Sequence, residues 1–377
     1  MKKMQHKFIS LLRTIARLTV GGAIGWFAMS GLENASRSGS GHDGSLGSAI
    51  AMFTLALFVC TAVHELGHWA ASRLVGFRLA LLSVGPISIA RGPRGWRMGL
   101  GRGLGQCLAY PTDTRDLRRR NLVYFSGGVG CGFGFALICG MVVRFGGLHS
   151  GYLTEFLGWC FWIALSLNAL SLVPDGMGSD GFCLNIMRKG GPKADQLIAA
   201  FTAQIHDLLG IRYRDMDRVL SDALTQPACT PVWQLMGQNT AYFVAMDAGR
   251  IDEARPLLEH LRELAEETPS LPNVELELAY FAAVHEKNPV EARRHYEAAD
   301  GEGSPFARAT AEAAILIEEG QSEAALSVLD TIQDQVTAAR SSGTAMMQHA
   351  VDCFEGLNLR AGGSVSSAAV RPVTVEN

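Results

Sequence analysis

The run His64-Glu65-Leu66-Gly67-His68 sets two imidazoles and a carboxylate at a spacing suited to metal-assisted hydrolysis. On a helix, residues four apart share a face. His64 and His68 can therefore bind one Zn²⁺, with Glu65 beside them as general base. The run sits in residues 48–76, one of the most apolar stretches of the chain. Ionisable side chains are costly in a bilayer, and where they occur there they mark a function. Two histidines and a glutamate at ligand spacing in such a stretch point to hydrolysis inside a membrane rather than to a chance match or to satisfied core histidines.

A catalytic zinc takes three protein ligands and a water. An extended motif would need a histidine at position 74, which is Leu74, and the next acid after Glu65 is the distant Asp113. The remaining source is the end of a later apolar segment, which carries Pro174-Asp175-Gly176 and Ser179-Asp180-Gly181. Asp175-Gly176 reads as a turn after a helix stopped by Pro174. Asp180 precedes Phe182, Leu184, Ile186 and Met187 and can cap a new helix that would hold it rigidly. Asp180 is favoured as the third ligand, with Asp175 as the alternative. Asn168 is a polar side chain within the same apolar segment, where an interhelical hydrogen bond is its ordinary role.

These residues need elements to position them. Four segments are long and apolar enough to span a bilayer, at about 8–32, 48–75, 122–143 and 152–173. For the first, a signal peptide is the alternative, disfavoured because Gly21-Gly22-x-x-Gly25 suits close helix packing and no cleavage site follows. The loop over residues 76–121 holds nine arginines, including Arg118-Arg119-Arg120. The positive-inside rule puts that loop and both termini in the cytoplasm. His64 then lies roughly 24 Å along its helix at about 1.5 Å per residue, in the cytoplasmic third of the membrane. The third segment is rich in glycine and is expected to pack tightly against the motif helix. Within the arginine-rich loop, residues 79–84, 86–90 and 104–110 read as two or three short strands whose edge can pair with an extended substrate.

Charge divides the chain. Residues 1–181 carry 17 Lys+Arg and 8 Asp+Glu, and residues 182–377 carry 16 and 28. The basic clusters flank apolar spans and lack interleaved aromatics, so they fit topology and not nucleic-acid binding. Eight cysteines are scattered without a CxxC pair, giving neither a disulfide framework nor a thiolate zinc site. Four of them (Cys60, Cys131, Cys139 and Cys160) fall in apolar spans and are expected to pack as small hydrophobes. From about residue 194 the chain reads as amphipathic helices. Three similar stretches turn through Gly249–Ala254, Asn288–Ala292 and Gly320–Ala324, and their spacings bracket the 34-residue period of tetratricopeptide repeats.

The HExxH run in one span, Phe125-Ser126-Gly127-Gly128 opening the next, and an Asn…Pro…Asp-Gly stretch in the fourth together resemble the site-2 protease family of intramembrane zinc metalloproteases. The resemblance covers residues 48–187. The family usually has Asn-x-x-Pro, whereas position 171 here is Ser and the proline is Pro174. A bacterial branch with cytosolic helical repeats, and with a longer insertion before Ser-Asp-Gly, is closer, and Ser179-Asp180-Gly181 fits it. The resemblance implies that Asn168 positions substrate or stabilises the oxyanion.

The expected architecture is a polytopic α-helical membrane bundle of about four spans with a small β element in a cytoplasmic loop. It comprises a metalloprotease domain (1–189), a cytoplasmic tetratricopeptide-like domain (194–360) and a disordered tail (361–377). The expected function is zinc-dependent cleavage of single-pass membrane proteins or membrane peptides in a bacterial plasma membrane. His64, His68 and Asp180 would hold the metal and Glu65 would act as base, while the repeats would dock a protein partner. A catalytically silent scaffold is the competing class, against which the intact Glu65 argues. A transporter would show repeated spans, and none is evident.

Overall fold

The computed structural model describes residues 46–101, 103–147, 151–174, 178–266 and 274–363. The expected span at 8–32, the alternative ligand Asp175 and most of the tail lie outside the described residues. The chain folds as two units, one within residues 1–90 and 97–190 and the other within 91–96 and 191–377.

In the first unit, three helices are long and apolar enough to cross a membrane: α1 (Leu46–Leu74), α2 (Leu117–Phe145) and α3 (Tyr152–Ser171). Glycine lets them approach. A Cβ on Gly67 of α1 would strike the Gly127 carbonyl of α2, and one on Gly127 would strike Gly67 and Ala71 in return. Such backbone contact replaces the hydrophobic drive that helices lack in lipid. Away from that crossing the three helices share a buried cluster, with Ala56 and Cys60 from α1, Ala136 and Cys139 from α2, and Cys160, Ile163 and Ala164 from α3. Cys60 donates from Sγ to the Cys160 carbonyl at 3.4 Å. Cys131 departs from its expected packing role and is exposed among the described residues.

Between α1 and α2 lies a four-stranded antiparallel sheet of β1 (Phe77–Val84), β2 (Ile87–Gly92), β3 (Gly95–Leu100) and β4 (Gly105–Pro111), in the order β3-β2-β1-β4. Three strands match the apolar runs of the sequence. The unexpected one, β3, carries Trp96, Met98 and Leu100, all exposed. Pairing rather than burial defines it, so no inward-facing set of residues announces it in the sequence. The β1–β4 register runs from Phe77 opposite Pro111 to Val84 opposite Gly105, with a shift between Leu79 and Leu81.

After α3 the chain turns into the short helix α4 (Asp180–Lys189). Its N-cap is Ser179, not Asp180 as the sequence suggests. The Ser179 hydroxyl accepts from Phe182 N at 3.4 Å and donates to the Val173 carbonyl at 2.9 Å. Asp180 is thus the first residue of the helix, where a carboxylate also complements the helix dipole. Arg118 closes the far end of α4, donating to the carbonyls of Met187 (2.6 Å) and Arg188 (2.8 Å). Arg120 donates to the Val75 carbonyl at 2.8 Å and to Asp113 at 2.7 Å. Two arginines read from the sequence as topological charge therefore also clamp helix and strand ends.

The second unit is helical: α5 (Pro192–Leu209), α6 (Arg218–Ala223), α7 (Pro231–Asp247), α8 (Ile251–Glu266), α9 (Val274–Val284), α10 (Pro289–Ala298), α11 (Pro305–Glu318), α12 (Ser322–Asp330), α13 (Gln333–Ser342) and α14 (Ala345–Arg360). The pairs α7/α8, α9/α10 and α11/α12 form successive hairpins. In each, one turn residue takes a left-handed conformation: Gly249, Lys287 and Gly320. Glycine does this without strain, and the lysine bears the usual cost. The fourth residue of each second helix is a fully buried alanine: Ala254, Ala292 and Ala325. From the sequence, Ala324 is the expected third, but that side chain is exposed and the equivalent position is Ala325.

Candidate metal centre

The fold brings together side chains that are more than a hundred residues apart in sequence. His64, Glu65 and His68 lie on α1 and Asp180 opens α4. All three potential ligands, His64, His68 and Asp180, have donor atoms within 4.8 Å of one another. His64 Nε2 lies 3.1 Å from Asp180 Oδ2, His68 Nε2 lies 3.2 Å from Asp180 Oδ1, and the two Nε2 atoms are 3.2 Å apart. The histidines and Glu65 are buried, each at 5–7% exposure.

The hydrogen bonds on the far side of each ring decide what those nitrogens can do. His68 Nδ1 lies 2.9 Å from the Tyr124 carbonyl, which can only accept, so that nitrogen carries the proton. His64 Nδ1 lies 2.8 Å from Asn168 Oδ1. The Asn168 amide is oriented by its own NH₂, which donates to the Ala164 carbonyl at 2.7 Å, so its oxygen faces His64. His64 Nδ1 therefore donates as well. In the neutral rings both Nε2 atoms are bare acceptors, and they face each other and a carboxylate. Acceptors this close are satisfied by a metal ion or by a proton held between them.

Each Asp180 oxygen faces one ring, and together the three side chains form a group able to hold a metal ion. Metal-binding histidines characteristically donate their other ring nitrogen to a carbonyl or amide oxygen, as both do here.

Glycines clear the space around these groups. A Cβ on Gly128 of α2 would enter the His68 ring, and one on Gly132 would strike the Asn168 amide. A Cβ on Gly105 of β4 would meet Glu65 Oε1 at 2.5 Å. The Glu65 carboxylate is thus flanked by the end of a strand with no side chain to crowd it. β4 is fixed there by the Tyr124 hydroxyl, which donates to the Cys107 carbonyl at 2.5 Å. Burial pushes the Cys107 thiol up to about 12, so it stays protonated beside the site.

Of the residues singled out from sequence, His64, His68 and Asp180 converge and Glu65 stands next to them. Asn168 is 0% exposed and spends its amide on His64 and Ala164. This is the interhelical hydrogen bond, directed at a ligand ring. Sequence reasoning missed the Tyr124 carbonyl, because a backbone acceptor leaves no trace in residue identity. It also missed Gly105 and Gly132 as clearances, although the glycine excess of α2 was a signal.

Comparison with protein-family models, curated proteins and solved structures gives no match to this chain. The structure by itself establishes a mostly helical protein with three helices suited to a membrane and a His-His-Asp group able to hold a metal ion.

Proposed function

We propose that this chain is an intramembrane zinc endopeptidase of the site-2 protease type. The observation that carries the reading is the convergence of His64, His68 and Asp180, with the Glu65 carboxylate beside them, where the histidines and Glu65 lie on a helix apolar enough to cross a bilayer. A bound zinc would supply Lewis acidity, lowering the pKa of its water and polarising the scissile carbonyl. His64 and His68 present Nε2 to it because Asn168 and Tyr124 hold their Nδ1 protons. Asp180 would be the third ligand and would offset the metal's charge. Glu65 accepts the proton of the attacking water and passes it to the leaving amine.

A helical substrate hides its carbonyls in its own hydrogen bonds, so it must unwind to be cut. The free edge of β4, next to Glu65, suits an extended segment by strand addition. In this reading the substrate is a single-pass membrane protein or membrane peptide, cut near the cytoplasmic face of a bacterial plasma membrane, with both termini on that side. The three helical hairpins act as tetratricopeptide-like repeats that dock a protein partner.

The test is to purify the full-length protein, measure bound zinc, and compare cleavage of a membrane-embedded reporter by wild type and Glu65→Gln. One zinc per chain in both, with cleavage lost only in Glu65→Gln, is the expected result. Equal cleavage by the two would refute the role of Glu65, and absence of zinc would refute the whole reading. Asp180→Ala should lose zinc while Asp175→Ala keeps it, and the reverse would reassign the third ligand.

A further inference from the structure

The second unit contains a separate group of reactive side chains. His349 and Cys353 are one turn apart on α14, with Cys353 Sγ 3.6 Å from His349 Nε2. On the other side of the ring, His349 Nδ1 lies 3.6 Å from Asp247 Oδ1 at the end of α7. The Asp247 side chain is only 2% exposed and is held in place. Arg212 Nε donates to it at 3.2 Å, the Arg214 backbone N–H donates at 3.0 Å, and the Arg212 NH₂ group adds a further bond. The ring edge also packs against Phe243, fixing its plane. An imidazole between a thiol and a buried carboxylate is the arrangement that activates a cysteine nucleophile.

This group opens onto a cavity of about 620 Å³, within the range of small-molecule sites. Its wall is mainly apolar, from Phe243, Met246, Leu276, Phe306, Met346 and Met347. At the cysteine, the Tyr280 hydroxyl lies against the sulfur, and Ser304, Thr310, Gln335 and Ser342 add polar groups elsewhere in the lining. Glu277 and Tyr242 are also there, hydrogen-bonded to each other at 3.2 Å. Polar electrophiles such as peroxide or a hydrophilic disulfide find little to bind in such a wall. An apolar chain with a reactive carbonyl at one end matches it.

We propose that Cys353, activated by His349 and Asp247, takes an acyl group from a long-chain acyl thioester and holds it as a thioester with the chain in this cavity. With the proton held on His349, the Cys353 thiolate attacks the acyl carbonyl carbon, forming a new C–S bond. The tetrahedral adduct collapses by breaking the C–S bond to the departing thiol, which takes the proton back from His349. The products are acyl-Cys353 and one free thiol, with no change of oxidation state.

The electrostatics support the first step. Burial works against a protonated His349, but Asp247 and Cys353 outweigh it and raise the ring to about 10. The charged and titratable groups around the pair include Arg212 and Arg214 beyond α5, Asp247 and Tyr242 from α7, Glu277 and Tyr280 from α9, His285 just beyond α9, and Asp352 and Arg360 on α14 itself.

The experiment uses full-length protein in detergent. Iodoacetamide labelling is followed residue by residue by mass spectrometry from pH 5 to 9, and a parallel sample is incubated with palmitoyl-coenzyme A. Cys353 should label at least tenfold faster at pH 6 than the half-buried Cys229, since His349 stands at its sulfur to take the proton. His349→Gln and Asp247→Asn should lose that advantage. Palmitoyl-coenzyme A should leave a hydroxylamine-labile acyl group on Cys353 that is absent from Cys353→Ser. Two wild-type results overturn the proposal whatever the variants do: labelling of Cys353 no faster than Cys229 at pH 6, or a Cys353 that accepts no acyl group.

Discussion

Replacing Asn168 with leucine removes the acceptor for the His64 Nδ1 proton while nearly preserving side-chain volume. The site offers no substitute: Asn168 is 0% exposed, its bond to His64 is 2.8 Å, and Gly132 packs directly against its amide. A buried donor left without a partner costs about 1–3 kcal/mol. In the metal-bound state that cost is paid in full, because the metal holds Nε2 and the ring cannot turn to offer Nδ1 elsewhere. In the apo state no metal pins Nε2, and the ring has more freedom to relieve the lost bond, so most of the penalty appears as lost metal affinity. At about 1.4 kcal/mol per decade, the expected weakening is roughly 5- to 150-fold. This agrees with the 10–100-fold usual for residues that orient a metal ligand.

The measurement is competition for zinc against a chromophoric chelator, in detergent, on wild type, Asn168→Leu and Asn168→Asp. The aspartate keeps an acceptor and should stay within a few-fold of wild type, provided it remains ionised beside His64. If Asn168→Leu binds zinc as tightly as wild type while cleavage of a membrane reporter collapses, the residue acts on substrate. The argument from ring orientation would then be wrong. That outcome would favour the role implied by family resemblance, so one pair of numbers separates the two readings.

Two further outcomes follow from the same geometry. Gly128→Ala places a Cβ inside the His68 ring, and overpacking of this kind costs about 1–3 kcal/mol. Its zinc affinity should fall by tenfold or more, whereas Gly130→Ala, which meets nothing within 4 Å, should match wild type in the same chelator assay. The Asp247–His349 pair predicts a pH dependence. His349 is raised to about 10 in the folded chain, so its contribution is complete below about 6.5, declines above that, and is gone once pH passes 10. The melting-temperature difference between full-length wild type and His349→Gln should shrink across that window, and a difference independent of pH would refute the assignment.

How much of this was readable from residue types depends on whether a feature has a periodicity or only a geometry. The motif His64-Glu65-x-x-His68 fixes two ligands on one helical face by spacing alone. The three apolar helices announce themselves because lipid demands an unbroken hydrophobic run. The Asp-Gly pairs narrowed the candidate third ligand to two residues; Asp180 lies beside the histidines, and Asp175 is outside the described residues. The capping role was misassigned: Ser179 and Asp180 are both good helix-start residues, and which one caps depends on where the chain leaves α3. The strand β3 escaped because its partner, not its burial, defines it. The shift from Ala324 to Ala325 has a similar cause, since two adjacent alanines are indistinguishable until the hairpin turn at Gly320 sets the phase of the helix.

The glycines of α2 join these threads. Read as composition, they weaken a helix. Read in place, each leaves room for a neighbour's side chain or backbone: Gly127 for Gly67, Gly128 for His68, Gly132 for Asn168. They sit at intervals of one and four residues on one side of α2, so the face that meets α1 also meets the amide that orients His64. The sequence therefore pays for a weakened helix with a cavity of fixed shape around two imidazoles, and the orientation of those imidazoles is what leaves both Nε2 lone pairs pointing at Asp180. A single larger residue at any of the three positions would disturb the metal centre through packing alone, without touching a ligand.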